Sequence, residues 1–141
     1  MKYIFGCHNW EEPDHPERGF YISKMTSLDI SGLSLTSALK NTDKFVQGLE
    51  NLNTLILPEN LDTSKVESAD SMFNGNGLPI IDISRFNFDS LNIATEMFCY
   101  CKATTIYVNE NYGFGNVTDP SIVMFLGANN LKGQQSSNVE T

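Results

Sequence analysis

Cys7, His8, His15, Cys99 and Cys101 are the residues whose types best suit chemistry. Thiolates and imidazoles are the usual ligands of zinc, and a thiol beside an imidazole is a common start for nucleophilic catalysis. The spacings fit neither use. No Cys-x-x-Cys knuckle is present, and Cys99 and Cys101 stand two apart, which is awkward for a bridge. Cys7 adjoins His8, but adjacency alone does not supply a nucleophile and its base in working geometry, and no third orienting group is suggested. Three cysteines without a secretion signal argue for free thiols. Gly113-x-Gly115 is too short for a dinucleotide fingerprint and lacks the strand-to-helix setting. Seventeen Asp and Glu residues single out no carboxylate pair for acid–base work. The expectation is a protein without catalytic residues, metal or cofactor.

Recognition chemistry is better marked. Residues 25–108 repeat one pattern: Met25-x-x-Leu28-x-Ile30, Leu52-x-x-Leu55-x-Leu57, Leu78-x-x-Ile81-x-Ile83 and Ala103-x-x-Ile106-x-Val108. Leu28, Leu55, Ile81 and Ile106 are 27, 26 and 25 residues apart. A period of this size predicts stacked supersecondary units. In each strand the repeated apolar residues point inward and their neighbours point out. The outward residues then form columns: Asp29, Ile56, Asp82 and Tyr107 in one, Ser27, Thr54, Ile80 and Thr105 in the next, and Ser31, Pro58, Ser84 and Asn109 in a third. Aliphatic and aromatic anchors within a polar rim are the signature of a protein interface. Asp29, Ile56, Ile80, Asp82 and Tyr107 are therefore the candidate binding residues.

The second half of each unit also recurs. Ala38 to Phe45, Val66 to Phe73 and Leu91 to Phe98 are seven-residue pairs, with Asn41, Ala69 and Ala94 between them. Spacings of three and seven place these residues on one face of a short helix. Ser37, Ser64 with Glu67, and Asp89 are suitable N-terminal caps. Gly48 and Asn74-Gly75-Asn76-Gly77 mark the stops, whereas Tyr100-Cys101-Lys102 offers no glycine. The expected fold is α/β: a short solenoid with a parallel sheet of about four strands, short helices on the opposite side, and non-repeat caps at both ends. Residues 1–24 form the N-terminal cap, in which Trp10 plugs the exposed end of the core, and residues 25–111 the repeats. Residues 112–130 form a capping helix opened by Asp119-Pro120 and closed by Gly127, and residues 131–141 a flexible polar tail.

Within this arrangement, Leu61-Asp62-Thr63-Ser64-Lys65-Val66-Glu67-Ser68-Ala69-Asp70-Ser71-Met72-Phe73 closely resembles the BspA-type leucine-rich repeat. That family reads Phe-Asp-Thr-Ser-x-Val, a short polar stretch, then Met-Phe, a glycine-containing turn and a Leu-x-x-Leu-x-Leu strand. Phe86-Asn87 and Met97-Phe98 keep the pattern in the next unit, and Lys44-Phe45 keeps part of it in the first. The likeness covers about residues 25–110. It implies a right-handed leucine-rich-repeat solenoid and a role in protein binding or adhesion, as in bacterial surface or secreted relatives. The family has no shared catalytic residues.

Charge and hydropathy bound the partners. The formal net charge is -8. Repulsion argues against direct binding to nucleic acid or anionic membrane. No run of about 18 apolar residues is present, so no membrane insertion is expected. The first ten residues are too polar for a signal-peptide core, which points to a cytoplasmic or particle-associated protein. The reading is a non-enzymatic protein-binding module, a bacterial or phage surface or accessory protein. The alternative is a small acidic intracellular inhibitor of a nucleic-acid-handling enzyme, for example an anti-defence protein.

Overall fold

A computed structural model describes residues 24–35, 39–109, 115–118 and 123–132. Its strands are β1 (Ser27–Asp29), β2 (Thr54–Ile56), β3 (Ile80–Asp82) and β4 (Thr105–Tyr107). Each spans three residues, with one inward side chain between two outward ones. Leu28 lies opposite Leu55 and Ile81 opposite Ile106, each pair in parallel register. Leu28 and Ile81 are buried in the apolar core, and Leu55 and Ile106 pack against it half-buried.

The sheet differs from the expected single ribbon. β1 pairs with β2 and β3 with β4, giving two separate two-stranded sheets. A proline sits at the break. Asn53, just before β2, donates its N–H to the Thr26 carbonyl at 2.9 Å, and Thr104, just before β4, donates to the Pro79 carbonyl at 2.9 Å. Pro79 holds the same place before β3 and has no N–H to give β2.

The expected short helices are absent among the described residues, and turns take their place. An α-helix needs an unbroken run of right-handed residues. Here the left-handed region is visited by Lys44, Ser71 and Glu96, and again four residues later by Gly48, Gly75 and Tyr100. One such residue ends helical propagation, at about 1–2 kcal/mol for a residue with a Cβ. Hydrogen bonding then divides. Some N–H groups close four-residue turns, as in Met72 to Ala69 at 3.3 Å and Met97 to Ala94 at 3.2 Å. Others cross to the next unit: Gly48 to Asn74, Gly75 to Cys99 and Tyr100 to Leu126, each at 2.8 Å. A helix would keep these bonds within itself; this chain uses them to join its units. Two of the expected caps, Ser64 and Asp89, instead give their N–H groups to a side chain two residues earlier, and Ser37 lies outside the described residues. Asp62 Oδ1 accepts the Ser64 N–H at 2.9 Å, and Asn87 Oδ1 accepts the Asp89 N–H at 2.8 Å.

Two alignments shift. Val46 donates to Met72 O, Phe73 to Met97 O and Phe98 to Met124 O, so Val46 rather than Phe45 is the partner of Phe73 and Phe98. Asn41 bridges to Ser68 and Ser68 to Ile93, which sets Thr42, not Asn41, over Ala69. Residues 123–127 form turns instead of the expected capping helix, with Gly127 left-handed like Gly48 and Gly75. They extend the stack: Phe98 lies 5.7 Å from Phe73 and 5.3 Å from Phe125, nearly parallel to both. Leu131 packs on the core, and Lys132 donates to the Thr104 carbonyl at 3.5 Å. The expected N-terminal cap over 1–24, apart from Lys24, and the tail beyond Lys132 lie outside the described residues.

Buried rings and aliphatic chains hold the units together. Each contributes about 1.5–3 kcal/mol relative to exposure, and ring stacking adds about 0.5–1.5 kcal/mol. Asn76 is buried among them because it serves the backbone. Its Oδ1 accepts the Leu78 N–H at 2.8 Å, and its Nδ2 donates to the Phe73 carbonyl.

A candidate protein-binding face

Strand alternation positions the five candidate residues. With Leu28, Leu55, Ile81 and Ile106 turned inward, Asp29, Ile56, Ile80, Asp82 and Tyr107 are exposed on the strands. Ile56 is 44%, Ile80 49% and Tyr107 52% exposed. Parallel pairing sets Asp29 beside Ile56 and Asp82 beside Tyr107, with Ser27 beside Thr54 and Ile80 beside Thr105. The predicted four-residue column is thus two registered acid–apolar pairs, because β2 and β3 do not pair.

Local turn chemistry explains which strands carry the acids. Asp29 Oδ1 accepts the Ser31 N–H at 2.9 Å. Asp82 Oδ1 accepts both the Ser84 N–H at 3.0 Å and the Ser84 hydroxyl at 2.6 Å. In the unit of β2 both halves of this turn are replaced: Ile56 has no acceptor and Pro58 no donor. The Ser31 N–H, followed by its hydroxyl, holds the Asp29 carboxyl below the ordinary 3.8. For Asp82 the Ser84 hydroxyl and then its N–H do the same, with a smaller pull from Arg85. Both groups are therefore charged at neutral pH. Each is open to solvent and keeps acceptor capacity on its second oxygen.

Sequence reasoning missed other exposed apolar groups. Val108, expected to point inward, is exposed beside Tyr107, and Tyr100, Phe125 and Leu126 form a second group near the end of the stack. Phe125 falls in the sequence within the expected capping helix, whereas the residue is 49% exposed. Tyr100 lacked the usual signal because its position is glycine in the preceding unit.

The other chemical candidates are placed as follows. Cys7, His8 and His15 lie outside the described residues. Cys99 and Cys101 are buried free thiols, and burial pushes both pKa values up, away from a reactive thiolate. Asp43 is buried, with Ser68 Oγ at 2.5 Å and the Asp70 N–H at 2.9 Å on Oδ1 and Asn41 Nδ2 at 2.8 Å on Oδ2. Burial, with nearby Asp43 adding to it, pushes the Asp70 carboxyl up. Among the described residues no three His, Cys, Asp or Glu side chains form a group able to hold a metal ion. A cavity bounded by Leu35, Leu39, Phe45, Leu57, Leu61 and Phe86 is apolar, and its Thr42 and Thr63 hydroxyls are hydrogen-bonded to the backbone. No helix among the described residues is long and apolar enough to cross a membrane.

Comparison with known families matches residues 19–138 to a family described as Mycoplasma protein of unknown function, DUF285. No curated protein and no solved structure matches the chain.

Proposed function

The chain belongs to the family described as Mycoplasma protein of unknown function, DUF285, and from that premise we propose that it is a non-enzymatic protein-binding module. We read its stacked units as a short solenoid of the BspA-type leucine-rich-repeat kind. The parallel registers and the unit-to-unit hydrogen bonds support that reading, as does the Asp62-Thr63-Ser64 turn. In such an architecture one surface of every strand is committed to the core and the other is available for contact.

The observation that carries the proposal is the registered placing of exposed Ile56 beside Asp29 and exposed Tyr107 beside Asp82. Apolar anchors set among polar groups are the usual centre of an interface. These side chains lie outside the core, so the fold is expected to survive their replacement. The test is affinity capture from a native host lysate, read by mass spectrometry, with Ile56→Asp and Tyr107→Ala as controls. A specific partner is expected with the parent chain and lost with both variants, while circular dichroism and melting stay unchanged. If both variants retain the partner, the sheet face is not the site.

A further inference from the structure

We infer that the partner docks on this face through a basic protein segment that carries apolar anchors among its cationic side chains. The inference rests on the sheet-face reading above. The strand columns hold two charges, Asp29 and Asp82, and both are negative. Each stands directly beside an exposed apolar group, Ile56 or Tyr107, and the acid–apolar pair occurs once in each sheet. Ile80 lies one inward residue away from Asp82 on the same strand. A complementary surface must therefore bring cationic and apolar groups alternately to the face.

Charge complementarity selects the occupant. The whole chain carries -8, so an acidic segment meets repulsion at long range and again at the two carboxylates. A basic segment is drawn in and then oriented by them. The apolar groups supply most of the affinity, since an exposed ion pair changes affinity by at most about fivefold. Lysine or arginine in the segment sets register and association rate, whereas burial against Ile56 and Tyr107 sets lifetime.

The experiment uses a random dodecapeptide library displayed on phage, selected against the immobilised full chain. Enriched peptides are synthesised and their affinities measured for the parent chain, for Asp29→Asn/Asp82→Asn, for Ile56→Asp and for Tyr107→Ala. The expected pool is rich in Lys and Arg interspersed with aromatic or aliphatic residues. The double Asn variant, still strongly acidic overall, is expected to bind the peptides about fivefold more weakly, from two exposed pairs. It should also show a shallower loss of affinity between about 0.05 M and 0.5 M salt. Peptides that need Ile56 and Tyr107 but ignore the double Asn variant overturn the basic-partner inference and leave the sheet-face reading standing. Peptides that ignore Ile56→Asp and Tyr107→Ala overturn both. A selection that enriches no basic peptide overturns the inference.

Discussion

The ring of Tyr100 lies so close to Gly127 that a Cβ on that glycine would overlap it. The two residues hold equivalent places in successive units, and both are left-handed, with φ of 53° and 71°. Gly48 and Gly75 fill the same place earlier in the chain. Tyr100 is thus an aromatic residue in a glycine position, held there by its N–H bond to Leu126.

Gly127→Ala should lower stability by two additive causes. A left-handed alanine costs about 1–2 kcal/mol, and the new methyl must displace the Tyr100 ring. In Tyr100→Gly the ring is gone, so Gly127→Ala made on that background should cost only the backbone part. Urea denaturation of the four proteins gives the coupling energy directly. Equal costs on both backgrounds would mean that the ring does not press on Gly127.

Gly77 and Gly32 should respond in opposite ways to alanine. A Cβ at Gly77 would overlap the Glu50 carbonyl and crowd the Leu52 carbonyl, both backbone groups that cannot swing aside. Gly77 itself donates to the Leu49 carbonyl at 3.0 Å, so relief by moving the chain breaks that bond. A loss of about 3 kcal/mol is expected, at the upper end of ordinary substitutions. Gly32 has nothing within 4 Å of such a Cβ, and Gly32→Ala should change stability by less than about 0.5 kcal/mol. Thermal melts of the pair test this, and a similar small shift for both would contradict the close approach.

The strands and the register within each pair were legible from Leu-x-x-Leu-x-Leu, although its last inward position fails at Val108, which is exposed. The turns were not. Ala69, Met72 and Phe73 are spaced as on a helical face, and a chain of single turns meets the same spacing. What separates the two is the left-handed φ of Lys44, Ser71 and Glu96, and none of these residue types advertises it. Matching Phe45 to Phe73 by residue type gave a slip of one position that the hydrogen bond of Val46 and the Asn41–Ser68 bridge correct. The candidate face was legible as a set of residues. Its division into two pairs coincides with Pro79, and a lost donor is visible only once the neighbouring strand is known.

Asp70→Asn should stabilise the protein at neutral pH, with the gain vanishing in acid. Partial burial, and then the neighbouring Asp43, raise the folded pKa of Asp70 above the ordinary 3.8. The folded state then binds its proton more tightly than the unfolded chain does. Stability from this group is complete below 3.8 and falls as pH rises through the folded pKa. Asparagine removes the charged form, and with it the penalty above that window. Asp29 and Asp82 work the other way: their lowered values give stability that is present above 3.8 and lost as pH falls through the folded pKa. Urea midpoints of Asp70→Asn and the parent chain across the acid range check the sign. A gain that persists unchanged in acid would exclude the charge as its cause.

Pro79→Thr should begin to join the two sheets. Asn53 and Thr104 use their N–H groups at the equivalent place, and threonine returns that donor before β3. The new bond is worth about 0.5–1.5 kcal/mol, while loss of proline frees the unfolded chain by about 0.4–1 kcal/mol. Net stability should therefore move little. Amide exchange separates the two contributions: the residue-79 N–H should be protected to the level of the Asn53 and Thr104 amides. With β2 and β3 paired, Ile56 is drawn into register with Asp82, and the two acid–apolar pairs become one continuous column. A residue-79 amide that exchanges as fast as an exposed turn would show that something other than the missing donor holds the sheets apart.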